Sequence, residues 1–440
     1  MVKKWLGALA GLVTSAGFAL AQTPAPNAWT PNLSPFASIP STLQPVRYQP
    51  EAPAPLPATL PSGDSSNRPL LYEGDADGPG FWFQAEYLLW RVKSSQSSSG
   101  PVFGTIPTAL ANAPDLPAGS ITGLPHDPSR AHYGDQDGLR FGAGFWLDGA
   151  REWAVEGSWF QLEKATRRFQ ASSNGDPVIG PVFEDPISGR QTIILYAIPN
   201  GRAAELDAQS NNRLWGAEIN LRRQLPAIFF ADRLDLLVGY RHLQFSEGLE
   251  LDGTHSALPG FQDPVAGTTS YTDRFGVHND FDGAQIGLAS HADFGPFTVD
   301  VIGKLALGGM QEHLNIDGLT TLIDPVGAPG TTITRVGGVL TQPTSIGRFT
   351  HSNFSIVPEV TANLGWRITP RLKATVGYNF LFVDKLFRVQ DQIGGVDGRQ
   401  VFGSTLFTPN AQPAPTLPQP QGSTTSFWAQ GINLGLEFSF

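Results

Sequence analysis

Hydrophobic positions along this chain recur at every second residue, in segments of about ten. Phe81, Phe83, Ala85, Tyr87 and Leu89 share one parity, with Gln84 and Glu86 on the other. The same alternation returns at 139–147, 153–159, 215–221, 234–240, 284–288, 297–305, 354–364, 372–380 and 432–440. Residues i and i+2 of a strand share a face, so each segment has one apolar face and one of polar or small residues. About ten residues is what a strand tilted by ~45° needs to cross a bilayer. No later stretch offers ~20 apolar residues in a row, so a chain that spans a membrane here does so with strands.

The connections alternate in length. Those at 148–152, 223–231, 292–296 and 367–371 are short; those at 93–138, 163–213, 246–282, 308–353 and 384–427 are long. This asymmetry predicts an all-β fold: a transmembrane, antiparallel, up-and-down β-barrel of about ten strands, with short periplasmic turns and long extracellular loops. Twelve strands stay open if a long loop hides a hairpin, at 191–198 or 396–406. A soluble sandwich with one wet face alternates in the same way but does not usually show this loop asymmetry. The last strand ends on Phe438 and Phe440 of the apolar parity, Phe440 being the C-terminal residue. A terminal aromatic on an alternating strand resembles the signal read by outer-membrane barrel-assembly machinery. That machinery and outer-membrane lipid are therefore the expected partners.

Composition agrees with this picture. Only 15% of the 440 residues are charged, against ~25% in a typical soluble domain, yet mean hydropathy is only −0.12. Few charges without high average hydrophobicity suits a wall whose apolar and polar residues alternate. The absence of cysteine excludes disulfide scaffolds, thiolate metal sites, iron–sulfur clusters and Cys nucleophiles. With 29 basic against 39 acidic residues, nucleic acid is not an expected partner.

The N-terminus reads as a secretory signal peptide over residues 1–21. Lys3 and Lys4 precede an apolar run from Leu6 to Phe18, and Ala19-Leu20-Ala21 fits the cleavage pattern. The destination is the outer membrane of a Gram-negative-type envelope. Residues 22–78 form an arm, with twelve prolines between Gln22 and Leu70. Such a stretch favours extended or disordered backbone. It is a candidate for cell-wall contact, beside the plainer role of a periplasmic linker. The barrel would occupy 79–440.

At Gly80-Phe81-Trp82-Phe83-Gln84-Ala85-Glu86-Tyr87-Leu88-Leu89-Trp90 the chain resembles the opening signature of beta-barrel protein family seven, planctomycete-type outer-membrane barrels of uncharacterised function. Arg140-Phe141-Gly142-Ala143-Gly144-Phe145-Trp146, Trp153-Ala154-Val155-Glu156-Gly157, Gly239-Tyr240-Arg241 and Asp273-Arg274-Phe275 fit it too. The resemblance implies a fold and a location, and it carries no catalytic residues.

The polar parity places Glu86, Arg140, Glu156, Glu218, Arg241, Asp300, Lys304 and Glu359, with Lys373 beside them, inside the barrel. Mixed signs in a narrow lumen point to ion pairs that satisfy buried charge. A ring of charge that selects ions is the alternative. His278, Asp280 and Asp282 could polarise a water, but they also read as a solvated strand entry. Asp75, Asp77 and Gly78, and again Asp135, Asp137 and Gly138, open like calcium loops. Pro79 stands where the first needs an oxygen ligand, and Arg140 and Trp146 break the second. No metal, cofactor or catalytic residue is assigned. The expected function is a side-chain-filled structural or surface-display barrel without catalytic activity. A small passive channel is the alternative, and a surface hydrolase the minor one.

Overall fold

In the computed structural model, residues 80–440 are described apart from 112, 114, 115, 227–230, 264 and 403–405. The signal peptide expected at 1–21 and the arm expected at 22–78 lie outside the described residues. Ten antiparallel strands close into a ring: β1 (Phe81–Val92), β2 (Asp135–Trp146), β3 (Trp153–Leu162), β4 (Arg202–Leu225), β5 (Arg233–Ala257), β6 (Ala266–Phe294), β7 (Phe297–Pro325), β8 (Gly347–Arg367), β9 (Leu372–Phe387) and β10 (Thr424–Ser439). Each strand pairs with its sequence neighbours, and β1 pairs with β10. Both ends of the barrel chain meet at the short-turn end, where the Phe440 N–H donates to the Phe81 carbonyl at 2.8 Å.

Among the described residues the closed ring has ten strands, and two further segments, Ala165–Ser173 and Thr332–Val336, extend the same sheet by pairing with β4 and β7. The two candidate hairpins are not part of the wall. Arg190–Ile193 pairs with Val178–Asp185 in a small four-stranded sheet at the long-loop end. Val396 and Val401 are buried in the core there. Two expectations need correcting. The strands are not uniformly about ten residues, since β4 to β7 run to 24, 25, 29 and 29. The stretch 246–282 is mostly wall rather than loop.

The physical reason is a reversal of polarity along each tall strand. On β5, Leu236, Val238 and Tyr240 face outward while Asp235 and Arg241 face inward. Higher up, the outward parity continues as His242, Gln244, Ser246, Glu250 and Asp252, and the inward one as Leu243, Phe245, Leu249 and Leu251. The first half presents apolar residues to lipid, and the second presents polar residues to water around a dry core. Tyrosines mark the upper edge of the lipid belt. The Tyr87, Tyr240 and Tyr378 hydroxyls donate to Asp137, Asp282 and Gln430 on neighbouring strands. An aromatic ring in lipid with a wet polar tip suits that boundary.

Candidate functional site

The lumen has three layers. The first, at the short-turn end, is a cavity of about 970 Å³ lined by Trp82, Trp146, Arg151, His291, Arg371 and Phe440, among others. Two charged clusters stand on its walls. Arg222 meets Glu156 at 2.7 Å and Asp235 at 2.9 Å, and Arg233 meets Asp235 at 2.9 Å. These arginines cover a pair of indoles: Arg233 lies 4.3 Å from the Trp146 ring, and Trp82 packs 5.2 Å from Trp146. Across the cavity, His291 bonds Asp300 at 2.5 Å, and Lys373 joins Asp300 at 3.3 Å to Glu437 at 3.0 Å.

The second layer closes the inner end of that cavity. Arg140 reaches Glu86 at 3.2 Å and Glu359 at 3.5 Å. Arg241 pairs with Glu359 and lies 3.4 Å from Glu218, which also takes Lys304. Three cations and three carboxylates from six strands thus share one network. Amides fill the remaining lone pairs: Asn433 donates to Glu86 at 2.9 Å, Asn379 to Glu359 at 2.6 Å and Gln285 to Glu218 at 3.1 Å. Gly435 makes room for Glu86, whose Cγ would sit 2.9 Å from a Cβ placed there.

The third layer is dry. Leu88, Trp90, Phe160, Leu243, Phe245, Phe281, Met310, Val357, Leu381 and Phe427 form one buried cluster drawn from eight strands. Trp90 and Phe160 pack at 5.4 Å, and Phe245 and Phe427 at 4.5 Å. Arg140 joins the layers, its guanidinium 5.3 Å from the Trp90 ring. Above this, the segment after β9 turns into the barrel. Asn279 clamps the Phe387 backbone, accepting its N–H at 2.8 Å and donating to its carbonyl at 3.0 Å. Arg388, fully buried, makes a two-pronged pair with Glu247 at 2.8 and 2.7 Å. A second inserted segment hangs on Asp273. Its carboxylate accepts the N–H groups of Val339, Leu340 and Thr341 at 3.1, 3.0 and 2.9 Å. Burial pushes the Asp273 carboxyl up to about 6 despite those donors.

Glu86, Arg140, Glu218, Arg241, Lys304 and Glu359 therefore come together in one network, while Glu156 and Asp300 sit in separate clusters with Arg222 and Lys373. Asp235 and Glu437, which join these clusters, also stand on the polar parity of their strands. Arg388 and Asn279 carried no such signal, because their contacts depend on a segment that follows no periodicity. His278, Asp280 and Asp282 face outward above the lipid belt: His278 lies 3.2 Å from Asp280, and His242 2.8 Å from Asp282. Asp135 pairs with Arg91 at 2.8 Å, and Asp137 takes the Tyr87 hydroxyl. Phe438 stands opposite Phe83, and the Phe440 ring lies 6.1 Å from that of Phe81.

Residues 82–440 match the family described as "Putative beta barrel porin-7". No curated protein matches the chain. Among solved structures, the outer membrane protease OmpT from Escherichia coli is similar at 12% identity and a TM-score of 0.42, covering 84% of this chain and 99% of that one. A Pseudomonas aeruginosa FadL homologue is similar at 10% identity, TM-score 0.21, covering 82% and 90%. The Pseudomonas putida toluene transporter TodX is similar at 8% identity, TM-score 0.19, covering 82% and 89%.

Proposed function

The chain belongs to the beta barrel porin-7 family, and from that premise we propose an outer-membrane barrel with a closed lumen, a structural or surface-display scaffold without catalytic activity. The observation that carries this reading is the pair of stacked layers across the lumen. A solute crossing it would have to separate the ion pairs around Arg241 and then displace the aromatic layer of Trp90, Phe160, Phe245, Phe281 and Phe427. Leaving one partner of a buried ion pair unpaired costs about 3–5 kcal/mol, so the charged layer alone is a substantial barrier.

In this reading residues 1–21 direct export and are removed, Phe438 and Phe440 serve the assembly machinery, and the arm at 22–78 remains in the periplasm, where it can meet the cell wall. The height of β4 to β7 beyond the lipid belt supports display, because it lifts a folded, dry-cored head clear of the membrane. The cavity at the short-turn end favours a second reading, a channel whose inner charged layer opens in the membrane. Swelling of liposomes containing the protein in isotonic small sugars separates the two. The scaffold gives no swelling above empty liposomes, and swelling that slows with sugar size would establish the channel.

A further inference from the structure

The barrel wall has an unpaired strand edge. The ladder between β8 and β9 runs from Arg367↔Lys373 to Glu359↔Leu381 and stops there, while β8 continues on its other side against β7 as far as Gly347. The cause is local. Backbone groups of a strand point alternately to its two neighbours. Arg367 donates to Pro296, just before β7, and Ile368 to Leu372 at the start of β9. Odd positions of β8 therefore serve β7, and even positions serve β9. Pro358 is even and has no N–H to donate, so the ladder fails at that residue. Beyond it β9 leaves the wall. Its pairing with β10 shifts between Val383 and Leu386, and Phe387 is drawn into the lumen by Asn279.

Asp384 repairs the first step of the gap, accepting the Ile356 N–H at 2.8 Å and the Ser355 hydroxyl at 2.6 Å. Above that, Arg348, Thr350, Ser352 and Phe354 pair only with β7 among the described residues, and by the same alternation their N–H groups point to the side that β9 has left. All four residues are exposed. Arg348 stands at the upper end of the edge and Lys385 beside Asp384 at the lower end, and neither makes an ion pair among the described residues.

We propose that the β8 edge from Arg348 to Phe354 is a strand-addition site for an extended acidic peptide segment of another protein at the cell surface. Such a segment would take the four free backbone positions as a new strand, in the place β9 vacates, with carboxylates towards Arg348 and Lys385. A second copy of this chain does not fit. Two barrels in one membrane are related by an axis along its normal, which preserves the upward sense of a tilted strand and reverses its sideways lean. Two β8 edges would then cross rather than run side by side.

The test uses the full-length protein in detergent and a synthetic peptide of about nine residues, alternating threonine and valine with a glutamate at each end. Binding is read by fluorescence anisotropy, and protection of the Thr350, Ser352 and Phe354 amides by hydrogen exchange. The expected result is fast exchange at the three amides in the free protein and slow exchange with peptide. Affinity should fall about tenfold or more in S352P, or with a peptide N-methylated at alternate residues. The N-methylated peptide keeps the test independent of whether S352P folds. Amides already protected in the free protein would overturn the proposal. So would equal binding of the N-methylated peptide or of one ending in lysines, or protection by anionic lipid vesicles alone.

Discussion

Arg241 lies between Glu218 and Glu359 with its Nη1 lacking an acceptor among the described residues. Its removal would leave two carboxylates facing each other in a buried site. Arg241→Ala should lower stability by about 3–5 kcal/mol, seen as a lower temperature for loss of the compact, fast-migrating form on gels. At the long-loop end two buried groups oppose each other in pH response. Asp273 titrates near 6 in the fold, above its ordinary value, so its contribution is favourable in acid and is lost as pH rises through 6. His255 is pushed down to about 4 by burial and then by the Arg202 charge, so it folds neutral. Its contribution is lost as pH falls below the ordinary histidine value. Between about pH 7.5 and about pH 5, Asp273 should add about 1 kcal/mol and His255 remove about 2 kcal/mol. Denaturant unfolding at both pH values checks this: H255Q should lessen or reverse the acid loss, and D273N should steepen it.

At the scale of the element, the lower half of every wall strand was legible because lipid outside and charge inside impose opposite preferences on adjacent residues. The ten apolar segments and the residues of the Arg241 network follow from that alternation. The upper halves were not legible as wall. Above the level of Leu243 and Phe281, towards the long-loop end, the apolar residues move to the inner parity, and the polar outer parity of Gln244, Ser246 and Asp280 resembles loop composition. Alternation whose phase inverts once, near Leu243 and Phe281, runs the full length of β5 and β6. The closing strand carries its own prediction. Phe440 is exposed at the rim, beside Phe81. A charge in lipid costs ~2–4 kcal/mol at the midplane and less near the interface, so Phe440→Asp should act mainly on assembly. It should reduce the yield of heat-modifiable barrel in the membrane fraction more than the same change at exposed Thr408 in the last long loop. Equal yields would remove the assembly role.

Across the barrel as a whole, the proposed closed lumen rests on side chains carried by the wall strands themselves. The cavity of about 970 Å³ is bounded inward by the six-residue charge network, then by the aromatic layer, then by segments held by Asn279, Glu247 and Asp273. These layers rest on different chemistry, ion pairs in one and apolar packing in the next. The direct test is the ionic current through single barrels of the purified protein in a planar lipid bilayer, in concentrated potassium chloride. A closed scaffold leaves the current at the level of the bare membrane across the voltage range. A steady, reproducible current step that scales with salt concentration would contradict it and make the protein a channel.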